Sequence, residues 1–247
     1  MGREIIVVSS CMSFWLSASI LALLVQIFYW AMLRKGFSEA QRPSSHLREY
    51  PVSILVAARN EEACLMRLLT ALSTQDATEY EVVVVDDGST DSTPDILEHA
   101  SSMFRDGQLR VITVDQPRQP RKKNALTLGI QAARYDRLLF TDADCVPGPT
   151  WATDMSKLLE HPERTVVVGY SPFQRSPGFL NKLARYETFV TGYFTAAAIG
   201  LERPYMAVGR NIAYGKSTFQ RIGGFTHSEH VLSGDDDLFI QEVVRRD

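Results

Sequence analysis

"YEVVVVDDGSTDSTPDI", residues 80–96, decides the architecture. Four consecutive valines between polar neighbours have the length and β-branching of a strand buried on both faces. The run ends on Asp86, Asp87 and Gly88, and "DSTPDI" follows, where Asp91 or Ser92 can cap a helix and Pro94 is tolerated in its first turn. A buried strand, a polar turn and a helix make half of a βαβ unit.

The same alternation continues in both directions. Upstream, "VSILVAA" (52–58) reads as a strand, and "EEACLMRLLTALSTQ" (61–75) carries Leu65, Leu68, Leu69 and Leu72 at the spacing of one helix face. Downstream, "LRVITV" (109–114) is a strand, "KKNALTLGIQAAR" (122–134) a helix, and "DRLLF" (136–140) a fourth strand. The expected class is α/β, a mostly parallel sheet with flanking helices. Ligands of such sheets bind beyond the carboxyl ends of the strands. The clusters "ARNEE", "DDGSTDST" and "TDADC" all fall there.

In "FTDADC" (140–145), strand alternation would point Asp142 and Asp144 the same way. A solvated pair in a loop is the simplest account. A divalent cation is the other, because it removes the repulsion, and carboxylate oxygens suit Mg²⁺ or Mn²⁺ completed by phosphate oxygens. Asp87, at a buried strand end, needs a partner, and a ribose or a base N–H would supply one. Gly88 permits a tight turn and close approach of a ligand. Residues 89–91 serve equally well as an ordinary strand–helix connection. No Gly-x-Gly-x-x-Gly follows the first strand and no P-loop is present, so phosphate charge is not met by a glycine-rich loop.

With 247 residues and a net charge of −3, the chain gives no general reason to expect nucleic acid. Cys11, Cys64 and Cys145 have no zinc or disulfide spacing, which suits a reducing compartment. Residues 5–33 carry no charge, and a span needs only about 20 such residues, so this stretch is expected to be a transmembrane anchor. Phe28, Tyr29 and Trp30 stand where an interfacial belt would lie. Arg34, Lys35, Arg42 and Arg48 follow the span, while Arg3 beside Glu4 precedes it, which places the remainder in the cytoplasm. Residues 34–50 read as a juxtamembrane linker, and 51–247 as the catalytic domain.

"ARNEE", "VVVVDDGSTDST", "KKNALTLGI" and "FTDADC", in this order, resemble the donor-binding half of family-2 inverting glycosyltransferases with the GT-A (nucleotide-diphospho-sugar transferase) fold. "MAVGRNIAYGKSTFQRIGGF" (206–225) is similar to that family's acceptor-side segment, and "SGDDDLFIQ" (233–241) occupies the place of its acidic catalytic motif. The resemblance covers residues 51–247, and the anchor fits the membrane-bound branch that makes polysaccharides or glycolipids. It implies that Asp87 contacts the donor's nucleoside, with Asn60 and Glu61 nearby, and that Lys123 lies close to the donor. Residue by residue, a solvated lysine within Arg121–Lys122–Lys123 is as good an account of Lys123. The resemblance further implies that Asp142 and Asp144 hold the sugar diphosphate and its Mg²⁺ or Mn²⁺, Asp144 as the direct ligand. The base is implied to be Asp235 or Asp236: spacing to Leu238 selects Asp235, and a Gly-Asp-Asp alignment selects Asp236. Asp237 fits the first turn of a helix. The expected partners are a nucleotide-sugar donor, a glycan or lipid-linked acceptor and the membrane, with no nucleic acid.

The chain departs from the processive members, which carry Gln-x-x-Arg-Trp after the acidic motif. "IQEVVRRD" is not that motif, and the catalytic domain is expected to be truncated at its carboxyl end. Residues 179–201 leave only Thr188 to Leu201 uncharged, too few to cross a bilayer. A core helix is expected there, with a helix resting on the membrane interface as the alternative. Two rival functions remain at this level. A sugar-nucleotide nucleotidyltransferase needs a Gly-rich loop after the first strand, which "AARNEE" lacks. A non-catalytic tethered binding protein would tolerate loss of an acidic cluster, and none is lost.

Overall fold

The valine run forms a central strand. The computed structural model describes residues 2–41 (side chains from residue 12), 48–116, 118–228, 231, 234 and 236–246. It divides into two units, residues 1–42 with 186–204, and residues 43–185 with 205–247.

The second unit holds a six-stranded sheet in the order β3-β2-β1-β4-β6-β5. The strands are β1 (Val52–Ala58), β2 (Tyr80–Asp86), β3 (Leu109–Thr113), β4 (Arg137–Phe140), β5 (Val166–Val168) and β6 (Ile212–Gly215). The first four pair in parallel, as expected from the sequence, and β6 runs antiparallel to both β4 and β5. Successive residues of a strand face opposite layers, and both faces are covered here, which explains why Ile54–Val56 and Val82–Val85 are continuously apolar. Ile54, Val56, Val82 and Val84 face a layer built from α2 (Leu65–Ser73), α3 (Thr93–Ala100) and α5 (Trp151–Leu158). Leu55 and Val83 face the opposite layer, which includes α4 (Arg121–Ala132), α7 (Lys216–Arg221) and α8 (Asp237–Arg246). Leu65, Leu68, Leu69 and Leu72 are all buried, as their spacing predicts.

Glu81 puts a carboxylate inside the sheet, at the start of β2. Glu81 is fully buried, and its Oε1 accepts from the Ser53 hydroxyl at 2.6 Å and from the Arg134 amide. Its Oε2 pairs with Arg110 at 3.5 Å, and the Ser53 hydroxyl in turn accepts from the Tyr135 amide. This knot ties β1 and β2 to the turn before β4, at the end of the sheet opposite the acidic clusters. Removing the carboxylate strands two buried donors, so Glu81→Ala is expected to cost about 2–4 kcal/mol. Urea unfolding of the variant would measure it, and a loss below about 0.5 kcal/mol would contradict the account.

The first unit contains α1 (Gly2–Ala40) and most of α6 (Phe179–Gly200). From Met12 to Ala40 the first helix is long and apolar enough to cross a membrane, by length and composition. It continues through residues 34–40, so the first part of the expected linker is helical. Leu33 and Gly36 are buried there, and Phe37 lies 4.7 Å from the Tyr193 ring of α6. The crossing is tight: a Cβ on Gly200 would stand 1.8 Å from the Gly36 carbonyl oxygen. Packing through small residues lets two backbones approach closely and leaves most of each helix uncovered. The core-helix expectation for 179–201 is therefore corrected, because only Thr195 and Ala197 of α6 are buried.

Candidate active site

In the second unit, Ala58 pairs with Asp86 and Leu55 with Phe140, so the carboxyl ends of β1, β2 and β4 open on one edge. The loops after β1 and β2 are knitted together. Asn60, in the left-handed region at φ 54°, donates its amide to the Ser89 hydroxyl at 3.0 Å and accepts from the Thr90 amide at 2.8 Å. The Glu61 amide donates to the Thr93 hydroxyl at 2.8 Å, and Asp91 accepts from the Thr93 amide at 3.0 Å. Ser89, Thr90, Asp91 and Thr93 thus brace two loops, and Asn60 is a structural latch whose carbonyl oxygen is already engaged.

Asp87 is different. It is buried, and its Oδ1 has no hydrogen-bond partner among the described residues. Its Oδ2 lies 3.9 Å from Nη1 of Arg121, a nitrogen likewise without a hydrogen-bond partner there. Burial raises the carboxyl's pKa above the usual value, against the opposing pull of Arg121 and Arg59. Buried polar atoms are ordinarily paired, so this oxygen and this nitrogen are open to a water or to a polar ligand.

β4 ends at Phe140, so Asp142 and Asp144 lie beyond the strand, in a turn closed by the Cys145 amide on the Asp142 carbonyl at 3.1 Å. Burial still alternates, with Thr141 and Ala143 inside, Asp142 half-buried and Asp144 exposed. Glu61 registers both: its pKa is raised by burial, then by the charges of Asp144 and Asp142. Glu61, Asp142 and Asp144 therefore share one electrostatic field. Among the described residues no group of three acidic, His or Cys side chains is arranged to hold a metal. Two carboxylates are a donor set that suits a hard divalent cation when phosphate oxygens complete its shell.

Lys123 is buried, and its Nζ donates to the carbonyls of Ser228 at 2.8 Å and Val231 at 2.9 Å. It is therefore not a solvated lysine. Lys122, one residue earlier, pairs with Asp142 at 3.2 Å. Helical spacing could have separated them, since Lys123, Leu126 and Ile130 share the buried face of α4.

Because β6 is antiparallel to β4, Ile212 pairs with Phe140, and the turn at Gly209–Asn211 arrives beside Thr141. The Gly209 amide donates to Oδ2 of Asp236 at 2.6 Å, and Oδ1 of Asp236 accepts from the Asp237 amide at 2.9 Å, at the start of α8. Asp237 accepts from the Ala207 amide at 3.2 Å and begins the helix, where an acidic residue favours the dipole. Stacked rings of Phe140, Tyr214 and Phe239, with centroids 4.5 and 4.2 Å apart, hold α8 against the sheet. The result is a recess lined by Lys122, Asp142, Gly209 and Asp236 over Leu126, Phe140 and Phe239. Asp235 lies outside the described residues. The sequence reading missed Arg121 and Gly209; no local pattern singles out either.

The family model described as Glycosyl transferase family 2 matches residues 53–223. An undecaprenyl-phosphate 4-deoxy-4-formamido-L-arabinose transferase of Pseudomonas fluorescens is 36% identical over 104 residues, 40% of this chain and 30% of that protein. A poly-β-1,6-N-acetyl-D-glucosamine synthase of Staphylococcus epidermidis is 25% identical over 165 residues, 65% of this chain and 38% of that protein. The chain spans about a third of the length of the curated relatives it matches. Among solved structures, a mannosyltransferase of Pyrobaculum calidifontis, in complex with GDP-Man and Mn²⁺, superposes with a TM-score of 0.64 at 22% identity, over 88% of this chain and 59% of that one.

Proposed function

This chain belongs to glycosyl transferase family 2 and has the GT-A fold, and from that premise we propose that it transfers a sugar, with inversion, from a nucleotide-diphospho-sugar to a hydroxyl of a glycan or lipid-linked acceptor. The observation that carries the reading is the recess in which Asp142 and Lys122 meet Asp236. Residues from the donor-side and acceptor-side motifs converge there.

Asp87 accepts from the donor's base or ribose through the oxygen that lacks a hydrogen-bond partner among the described residues. Glu61 stands at the same edge. Asp142 and Asp144 would hold Mg²⁺ or Mn²⁺, which when bound offsets charge on the departing diphosphate. Lys122, now on Asp142, supplies a positive charge at the same place. The acceptor oxygen forms its bond to the anomeric carbon as the bond from that carbon to the diphosphate oxygen breaks. The hydroxyl proton passes to Asp236 or to Asp235, and the nucleoside diphosphate leaves with the electron pair. Lys123 contributes indirectly, by holding Ser228 and Val231, which precede the acidic motif in the chain.

The first helix is the proposed membrane anchor, with the catalytic unit on the cytoplasmic side, as Arg34 and Lys35 after the span imply. Relatives named for an undecaprenyl phosphate and for a polysaccharide support acceptors found at membranes.

The test is a panel of UDP-, GDP- and dTDP-sugars assayed for Mn²⁺-dependent binding and for donor hydrolysis. Binding without turnover would leave a binding protein, and no binding at all would remove the proposal. The raised pKa of Asp87 adds a pH signature. The carboxylate is the accepting form, so donor affinity is expected to be full at neutral pH. It should fall as the pH drops through a midpoint above the ordinary aspartate range. Asp87→Asn should remove that acid limb along with most of the affinity. An unchanged acid limb in the variant would assign the titration elsewhere.

A further inference from the structure

The first turns of α6 have their polarity reversed. Asn181 and Arg185, four residues apart and so on one face, turn toward the preceding segment. Asn181 donates to the Gln174 carbonyl at 3.0 Å and accepts from the Ser176 amide at 2.9 Å, while Arg185 donates to the Phe173 carbonyl. Phe179, Leu180 and Leu183 occupy the opposite face and are exposed, the first two at 76% and 79%. A helix facing water carries its polar residues outward. Here they point inward and the large apolar ones outward.

The segment held against the polar face of this helix also exposes aromatic rings. Tyr170 and Phe173 are exposed, and Arg210 pins their segment by donating to the Ser171 carbonyl at 3.2 Å. Between Glu163 and Glu187 the sequence has no acidic residue, but it has Arg164, Arg175, Lys182 and Arg185. Lys182 is exposed in the same turn as Leu180 and Leu183, and Arg175 is exposed in the segment just before the helix. An apolar face with basic residues at its margin matches one chemistry best. Acyl chains accept the rings and leucines, and anionic headgroups accept the lysine and arginine.

We propose that this surface of the catalytic unit, centred on Phe179, Leu180 and Leu183 with Arg175 and Lys182, docks onto an anionic lipid bilayer. It is a contact separate from the first helix. Aromatic residues and snorkelling basic side chains settle at the headgroup level, and the surface holds the enzyme against the membrane.

The test uses the full chain in vesicles of phosphatidylcholine with phosphatidylglycerol. The photo-reactive residue benzoylphenylalanine is placed singly at Leu180, at Leu23 in the first helix, and at exposed Val111 on β3. Mass spectrometry of irradiated protein should find lipid adducts at positions 23 and 180 and none at 111. Arg175→Gln combined with Lys182→Gln should lower the adduct at 180 by roughly fivefold or more while sparing that at 23. Nucleoside-diphosphate binding by each variant reports folding and the donor site independently. Adducts at 23 without 180 would overturn the docking surface and leave the anchor and the glycosyl transfer reading intact. A cross-link from 180 to a second copy of the chain would overturn it in favour of self-association. A lipid adduct indifferent to the two charges would overturn the anionic-lipid assignment.

Discussion

Asp236→Asn is expected to lower sugar transfer by about 10²–10⁴-fold with donor affinity nearly unchanged. Both oxygens of Asp236 accept backbone amides, from Gly209 and from Asp237, and the side chain faces the recess that also holds Asp142. Asparagine keeps the size and one acceptor, and it is well tolerated before a helix, so α8 should persist. What it loses is the ability to take a proton. Stopped or steady-state transfer assays on a chain that includes the acceptor contacts would measure the fall, with nucleotide titration as the control. Asp235→Asn belongs in the same experiment, since spacing to Leu238 selects that residue. A large loss at 235 alone would make it the base and reduce Asp236 to a brace for Gly209. Near-normal transfer in both variants would remove the acidic motif from proton transfer. Asp237→Asn should have only a mild effect, because asparagine's oxygen still accepts from the Ala207 amide.

Asp144→Asn is expected to weaken metal-dependent donor binding by roughly 100-fold or more. The fold should survive, because Asp144 is exposed and packs against nothing in either apolar layer. Calorimetric titration with nucleoside diphosphate, with and without Mn²⁺, separates the two contributions. The metal-dependent part should vanish, and the part due to Asp87 should remain. A second readout is independent of nucleotide: removing this charge should lower the Glu61 pKa, which burial and then the Asp144 charge hold above the usual value. Wild-type Mn²⁺-dependent affinity in the variant would take Asp144 out of the proposed metal site.

Much of this protein was legible in local pattern. The bounds of β1 and the buried face of α2 follow from β-branching and from leucine spacing, because each is a property of a few adjacent residues. That the acidic clusters fall at strand ends also follows locally, since each abuts its own apolar run. The uncharged stretch 5–33 predicts a long exposed helix by composition alone, although the helix runs on to Ala40, where Gly36 meets α6.

Tertiary structure decided the rest. Only the reversed β6 and the stacked rings of Phe140, Tyr214 and Phe239 bring Asp236 to the recess of Asp142. Only packing sorts Lys122 to Asp142 and sends Lys123 to the carbonyls of Ser228 and Val231. Asp87 meets Arg121 only because the start of α4 packs beside the end of β2. The reversed face of α6 depends on which side Asn181 and Arg185 find carbonyls to hold. Short-range pattern specifies an element and its apolar face, because those interactions span one or two turns. Which elements meet, and which side chain then points at which, is settled by contacts between segments far apart in the chain, and a single sequence does not print them.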